Sequence, residues 1–304
     1  MSFKDILGHN QALTILQNEI VSNTIKNSYI FYGIKGIGKK FAAIQFAKIL
    51  FCENPKNTDC CDDCEYCKKI DDGVFPDVLI VDFNFQAKLL EEKIETQKNI
   101  KIETIREVHR LATLSPYYGK KKVFIIDNAE TMQRHAANSL LKILEEPPQN
   151  CIFILISSSL GVLLKTIISR CELIKFSPLT EENLKKIVPQ KQQIVENSFG
   201  SLENIQYLEK ILNEFNFEKL RNLTIQEIQN ISENISDKKD LVKFFLFYLI
   251  ENRIKHIEKT DVEKLILELE HYLEYYSRLN YNLDFKLFVE TILTEMRENL
   301  WNKN

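Results

Sequence analysis

The chain has 304 residues, of which 44% are hydrophobic and 27% are charged. That length is enough for two domains of ordinary size or three small ones, and the composition is typical of globular proteins. The formal net charge of −3 at pH 7 excludes a protein that coats nucleic acid through bulk positive charge, so any contact with DNA must be local or belong to a partner.

Short runs of β-branched and aromatic residues recur in the first part of the chain, each beside a stretch with a helical pattern. The runs are 29–32, 78–81, 123–126, 152–156 and 173–176. Strands that alternate with helices predict a parallel sheet that is covered on both faces.

A glycine-rich loop follows the first predicted strand and leads into a predicted helix over 39–51. Gly33, Gly36 and Gly38 let successive backbone N–H groups point at one anion. The ammonium of Lys39 would then lie against the terminal phosphates. The alternative is a glycine turn with an accidental lysine, which the order of strand, loop and helix disfavours. The loop therefore predicts a nucleotide site for ATP or ADP.

The next residue departs from the phosphate-loop pattern. That pattern has Ser or Thr there, with a hydroxyl that ligates Mg²⁺, whereas this chain has Lys40. An ammonium cannot coordinate a metal ion and repels one, so the sequence argues against Mg²⁺-dependent chemistry at this loop. Nucleotide could still bind with Lys40 as a crude substitute for the ion.

Most of the cysteines lie in one short segment after the loop. Four of them are separated by eight, two and two residues: Cys52, Cys61, Cys64 and Cys67. Thiolates on closely spaced pairs can surround one tetrahedral Zn²⁺, so we predict a structural zinc site. Cys60 could replace Cys61 as a ligand, which leaves that one assignment open.

Disulfide pairing is the alternative use of these thiols. It would suit a secreted chain, but the first residues lack the basic and apolar regions of a signal peptide. The sequence also has no apolar run long enough to span a membrane. We therefore expect a cytoplasmic protein with no membrane partner.

A second nucleotide-site element ends the predicted strand 123–126. The apolar run and the acid that follows it, Asp127, resemble a Walker B segment, which could hold Mg²⁺ through water. Related nucleotide hydrolases have a glutamate next, whereas Asn128 has no basic oxygen to accept a proton from water. Glu130 is expected only to begin the next helix. Hydrolysis here would therefore lack both a metal-binding hydroxyl and a general base.

Beyond residue 176 the pattern is helical. No glycine follows Gly200, no proline follows Pro189, and apolar residues recur with helical spacing at 241, 244, 245, 248 and 249. The C-terminal part of the chain is therefore predicted to be a helical bundle.

Further segments carry motifs that are specific in combination. They are 3–9, 105–107, 116–123, 136–142, 144–148, 169–171 and 280–283. Together with the loop and the cysteine spacing, these segments resemble the delta-prime subunits of bacterial DNA polymerase III clamp loaders, which are members of the AAA+ family. In members that bind nucleotide, the first of the segments lies against the adenine.

The resemblance implies three parts. An α/β AAA+ core of the RecA-like type, with a parallel sheet and a zinc-binding insertion, is expected over 1–177. A small helical lid is expected over 178–207 and an all-α collar domain over 208–304. The resemblance also implies a five-subunit ring, in which motor subunits and a delta subunit are the partners and which loads the sliding clamp onto primer-template DNA.

Two site residues follow from the resemblance alone. Arg170, in a Ser-Arg-Cys motif, corresponds to an arginine finger that acts in trans on ATP held by a neighbouring subunit. A surface salt bridge is the commoner role for an arginine. Ser158, like Ser157 before it at the end of a predicted strand, matches the sensor-1 position. The alternative is a serine that only satisfies the hydrogen bonds of the strand end.

The first hypothesis is therefore a clamp-loader subunit that does not hydrolyse ATP itself. Members that respond to their own nucleotide carry an arginine after the lid turn, where this chain has Glu203 and Asn204. One alternative is the ATP-hydrolysing motor subunit of the gamma or tau type, which the intact glycine loop and Lys39 favour. Another is a free-standing regulator that binds zinc and nucleotide.

Overall fold

The structure is a computed structural model that describes residues 2–118, 121–236, 239–255, 270, 274–277, 279 and 284–299. Residues 119–120 and 280–283, which belong to motifs named above, lie outside the described residues. The chain forms two compact units, Met1–Pro189 and Gln190–Asn304. The three-part division at 177 and 207 stays a prediction.

A parallel five-stranded sheet lies at the centre of the first unit. Its strands are β1 (Ser28–Tyr32), β2 (Val78–Val81), β3 (Lys122–Ile126), β4 (Cys151–Ser157) and β5 (Glu172–Lys175). Their order across the sheet is β2-β3-β4-β1-β5, and every neighbouring pair is parallel. All residues of β3 and β4 are buried, as the cover on both faces of a parallel sheet requires. The predicted parallel sheet is confirmed.

Helices α1 to α8 also belong to the first unit. In chain order they are Asn10–Ser22, Lys39–Phe51, Glu65–Asp71, Phe83–Leu90, Ile102–Thr113, Arg134–Glu145, Lys165–Ile168 and Glu181–Ile187. Helix α2 is buried on most of its sides, and Phe46, Ala47 and Phe51 on it are fully buried. Such a helix is stable only when the rest of its domain encloses it.

Because the strands are parallel, their carboxyl ends share one edge of the sheet. Tyr32 at the end of β1 is level with Ser157 at the end of β4. Strand β3 ends at Ile126, which is level with Leu155, two residues before Ser157. The residues that follow these strands are the phosphate loop, Asp127 and Ser158. The fold therefore gathers the predicted nucleotide-site residues where open α/β sheets bind ligands.

The described part of the second unit is helical. It contains α9 (Leu202–Glu214), α10 (Ile225–Ile235), α11 (Lys239–Lys255) and α12 (Phe285–Asn299). The apolar residues predicted at helical spacing lie on α11 and are all buried: Leu241, Phe244, Phe245, Tyr248 and Leu249. They share a core with α10 and α12, so the predicted helical C-terminal part is confirmed.

None of the helices among the described residues combines the length and the apolar character that crossing a bilayer would need.

Candidate nucleotide and metal sites

The phosphate loop joins β1 to α2 and has the backbone form that binds anions. Gly33, Gly36 and Gly38 have φ angles of +148°, +70° and +93°, which side chains disfavour. A Cβ atom on Gly33 would lie 2.1 Å from the carbonyl oxygen of Phe176, so only glycine fits there. Helix α2 begins directly after Gly38, so its unpaired N–H groups face the loop.

Lys39 lies within this loop. Its side chain is buried, and Nζ donates hydrogen bonds to the carbonyl oxygens of Gly33 at 2.6 Å and Ile34 at 2.5 Å. These bonds hold the ammonium inside the turn that would surround a phosphate.

The opening segment of the chain also contacts the loop. His9 Nε2 lies 2.8 Å from the carbonyl oxygen of Ile37, and the imidazole packs on Phe176 with ring centroids 4.9 Å apart. Burial lowers the pKa of His9, so the imidazole is neutral and Nε2 is the donor to that carbonyl. The end of segment 3–9 therefore lies against the phosphate loop, near where the resemblance expects the segment to approach a nucleotide.

Lys40 forms the central contact of the site. Its Nζ lies 2.8 Å from Oδ2 of Asp82 and 3.3 Å from Oδ2 of Asp127. Burial alone would lower the pKa of Lys40, but the hydrogen bond to Asp82 and the charge of Asp127 outweigh it and raise the pKa. The side chain is therefore an ammonium held between two carboxylates.

Asp82 is a site residue that the sequence analysis missed. It follows β2 just as Asp127 follows the neighbouring β3, and the registered pair Val81 and Ile126 sets the two acids side by side. Asp82 also caps α4 by accepting a hydrogen bond from the N–H of Phe85 at 3.0 Å. An acid directly after each of two predicted strands was the signal that could have found it.

The residues present do not fit Mg²⁺. The loop hydroxyl that would ligate the ion is absent, and an ammonium stands in contact with the two carboxylates that could have held it. The sequence analysis expected that Asp127 could hold Mg²⁺ through water. In the structure the ammonium of Lys40 contacts Asp127 at that place.

Asn128 and Glu130 differ in how they relate to the site. The backbone N–H of Asn128 donates to Oδ1 of Asp127 at 3.0 Å, so this contact does not involve the Asn128 side chain. Glu130 accepts a hydrogen bond from the hydroxyl of Ser158, the residue that the resemblance predicts at the sensor-1 position. The other oxygen of Glu130, Oε2, is buried and has no hydrogen-bond partner within the described residues. Glu130 is the second residue of a short 3₁₀ turn, Ala129–Thr131, and does not begin the next α-helix, which starts at Arg134. Its bond to Ser158 places it at this edge of the sheet.

The four predicted metal ligands come together. The Sγ atoms of Cys52, Cys61, Cys64 and Cys67 all lie within 4.8 Å of one another. Zn–S bonds of about 2.3 Å imply S···S separations of about 3.8 Å in a regular tetrahedron, so the cluster is of the right size. The donor set therefore fits a metal ion that prefers thiolates.

Backbone donors support this arrangement of sulfurs. The N–H groups of Cys61, Cys64 and Cys67 point at the sulfurs of Cys52, Cys61 and Cys64, at 3.3, 3.4 and 3.4 Å. Hydrogen bonds of this kind orient the ligands of metal sites and favour the thiolate form.

Cys60 lies outside the cluster. Its thiol donates to the carboxylate of Asp62 at 3.3 Å, and burial together with that bond raises the pKa of Cys60 to about 12. A neutral thiol directed at a carboxylate is a poor metal ligand, so the geometry favours Cys61 over Cys60.

A buried lysine connects α2 to the cysteine segment. Lys48 is fully buried, and its Nζ lies 2.6 Å from Asp62 and 2.7 Å from Asp71. Nearby, Oδ1 of Asp59 accepts the N–H groups of Phe3 and Cys60, both at 2.9 Å. The segment that carries the four cysteines is therefore attached both to the phosphate-loop helix and to the start of the chain.

Arg170 lies at the opposite edge of the sheet from the phosphate loop. It precedes β5, whose first residue Glu172 is level with Tyr29 near the start of β1. The length of β1, about 13 Å at 3.3 Å per residue, therefore separates Arg170 from the loop. Its guanidinium contacts Glu145 at 2.9 Å and donates to the carbonyl oxygen of Thr166 at 2.9 Å. Its side chain is 36% exposed and lines a groove of about 540 Å³.

Comparison with known proteins identifies the family. The family described as "DNA polymerase III, delta subunit" matches residues 8–180. The chain belongs to this family. The predicted resemblance to DNA polymerase III subunits is thereby confirmed, and with the parallel sheet, the phosphate loop and the helical C-terminal part, so is the AAA+ fold class.

Relatives of this chain in the DNA polymerase III family include more than one kind of subunit. Over 67% of this chain, it is 34% identical to the tau subunit of Bacillus subtilis. Over 56% of this chain, it is 35% identical to the delta' subunit of that species. It spans 34% and 47% of the length of these two relatives. A solved DNA polymerase III gamma subunit-related protein from Thermotoga maritima aligns with 17% identity and a TM-score of 0.49, over 94% of this chain and 99% of that one.

Replacing Lys48 by Met tests the connection between α2 and the cysteine segment. We expect the free energy of unfolding to fall by about 1–2 kcal/mol, less than for a fully buried pair because both aspartates keep contact with water. Urea unfolding followed by circular dichroism measures the change. Lys186→Met is the matched control, since it breaks an exposed pair with Glu182 and should change stability by about 0.5 kcal/mol or less. Equal effects of the two substitutions would show that Lys48 makes no special contribution.

Proposed function

We propose that this chain is a delta-prime-type subunit of the bacterial DNA polymerase III clamp loader. In this role it occupies one position of a five-subunit ring with motor subunits and a delta subunit, in the cytoplasm. The ring loads the sliding clamp onto primer-template DNA. The chain does not hydrolyse ATP itself and supplies Arg170 to the ATP of a neighbouring motor subunit.

One observation carries the proposal that the subunit does not hydrolyse ATP. The ammonium of Lys40 lies between Asp82 and Asp127, at the position where hydrolysing relatives need a metal ion. Without a metal ion, the charge that develops on a transferring phosphoryl group loses its main stabilising partner. Asn128 adds a second deficit, because its amide cannot accept a proton from water.

The surroundings of Arg170 support its role in trans. It is partly exposed and lies at the edge of the sheet opposite this chain's own loop, so it is available to another subunit and remote from its own phosphate site. A guanidinium offers a planar fork of donors that suits a γ-phosphate. The carboxylate of Glu145 would hold the fork until the neighbouring ATP replaces it. A simple surface salt bridge is the alternative that the test below separates.

We further propose that the cysteine cluster holds a structural Zn²⁺. The ligands would be Cys52, Cys61, Cys64 and Cys67, whose sulfurs already lie within 4.8 Å of one another. A segment this small has little core of its own, so the ion would hold its turns together. The lid over 178–207 and the collar over 208–304 complete the proposed architecture, with the collar as the ring-forming part.

The motor subunit is the second candidate. It is favoured by the intact glycine loop, by Lys39, and by Glu130, which presents a buried carboxylate oxygen without a hydrogen-bond partner in the described part of the chain. ATP turnover by the purified chain distinguishes the two candidates. Turnover that Lys39→Ala abolishes would establish the motor, whereas its absence supports the ring subunit that acts through Arg170.

Substitution of single cysteines tests the zinc site and the choice between neighbouring thiols. We expect about one zinc ion per purified wild-type chain, and the same for Cys60→Ser, because Cys60 lies outside the cluster. Cys61→Ser should lower both the zinc content and the unfolding temperature. Elemental analysis and thermal unfolding measure these quantities. Zinc retained by Cys61→Ser but lost by Cys60→Ser would reverse the assignment.

Arg170→Ala tests the arginine finger in a reconstituted ring. The ring should contain a single active motor site, next to this subunit, with the phosphate-loop lysines of the other motor subunits substituted. We expect single-turnover ATP hydrolysis at that site to fall about a thousandfold, the contribution of such fingers in related enzymes. Arg110→Ala is the matched control, since Arg110 is also an exposed arginine paired with a glutamate. If hydrolysis is unchanged with Arg170→Ala, Arg170 is not an arginine finger, and its contact with Glu145 is only a surface salt bridge.

A further inference from the structure

The ammonium group of Lys40 lies beside Asp127, where a metal ion would otherwise be expected. Lys40 stands in the first turn of α2, and its Nζ reaches both acids at 2.8 and 3.3 Å. These acids come from the ends of two adjacent strands, and the helix that carries Lys40 is enclosed by the domain. All three groups therefore sit on rigid elements, and the ion pair is part of the fold.

Charge counting shows what this arrangement achieves. Lys40 offsets one of the two carboxylate charges that it contacts, those of Asp82 and Asp127, and Lys39 adds a second positive charge in the adjoining loop. The two acids thus need no divalent cation to balance them. A cation that approached them would meet the ammonium of Lys40 and would have to displace it.

The rest of the loop keeps the form of a phosphate site. Its three glycines have positive φ, the N-terminus of α2 faces it, and Lys39 lies buried within it. An ammonium has three N–H donors, so Lys40 can pair with two carboxylates and still donate to a phosphate oxygen. Lys40 therefore repels a metal ion from this site, whereas the glycines, the helix N-terminus and Lys39 can still bind an anion.

We infer that Lys40 is a built-in substitute for the metal ion, and that the loop binds a nucleoside di- or triphosphate without Mg²⁺. The inference rests on the proposed function, because it assumes a nucleotide that is held and not turned over. The bound nucleotide would then be a fixed structural part of the subunit. We expect the affinity to be lower than in metal-dependent loops, because one ammonium carries half the charge of Mg²⁺.

Titration calorimetry of the full chain with ADP, in excess EDTA and again in Mg²⁺, tests this inference. For the wild-type chain we expect the two dissociation constants to agree within about threefold, since no step of binding uses the ion. For Lys40→Thr we expect binding in EDTA to weaken about tenfold or more, because a charge-assisted hydrogen bond to phosphate is lost. Mg²⁺ should then restore affinity, since the new hydroxyl and the two released carboxylates form an ordinary metal site.

Two control variants define the site and the role of charge. Lys39→Ala should abolish binding under both conditions, which places the nucleotide in this loop and nowhere else. Lys40→Arg keeps a cation beside the acids, so its dissociation constant for ADP should be the same in EDTA and in Mg²⁺. Circular dichroism of each variant establishes that it folds, and the wild-type comparison is decisive even if a variant does not.

Wild-type binding that requires Mg²⁺ would overturn the inference, and so would a wild-type chain that binds no ADP at all. Neither result would affect the proposed role of Arg170, which needs no nucleotide in this chain. ATP turnover, measured separately, is the result that would contradict the proposed function itself. Absence of ADP binding would therefore leave the proposed function standing, whereas Mg²⁺-dependent binding would also remove the argument from Lys40 against hydrolysis by this chain.

Discussion

Three lysines on one enclosed helix determine how the first unit is assembled. An ammonium that leaves water must find compensating partners, and each lysine of α2 finds different ones. Lys39 bonds to the carbonyls of the phosphate loop, Lys40 to the acids that follow β2 and β3, and Lys48 to the acids of the cysteine segment. The helix thereby fixes the loop, the sheet edge and the cysteine segment relative to one another.

The features that the sequence predicted are those that depend on residues close together in the chain. The strands, the phosphate loop and the cysteine spacing are local patterns, and the structure contains the parallel sheet, the positive-φ glycines and the sulfur cluster that they indicated. The helical spacing along α11 gave the core of the second unit for the same reason. Periodicity and short spacing are properties of neighbouring residues, so they can be read without knowing the fold.

What the sequence did not reveal are contacts of charged side chains with polar or charged partners far apart in the chain. Lys40 and Asp82 are separated by 42 positions, and Glu130 and Ser158 by 28. Lysines and acids are ordinarily solvated, so nothing in their local pattern marks these few as buried partners. Lys48 in particular lies in an apolar helical run, where a charge is easily taken for an exposed position. Only the strand order, which aligns the ends of β2 and β3, brings such pairs together.

The proximity of the four cysteines in the chain has a consequence for the order of folding. Closing a short loop loses little chain entropy, whereas β1 and β4 pair residues about 125 positions apart, such as Ser28 and Phe153. A metal ion could therefore organise the cysteine segment, and through Lys48 the end of α2, before the sheet forms. We expect metal supply during synthesis to govern the yield of folded chain more strongly than the stability of chain that has already folded.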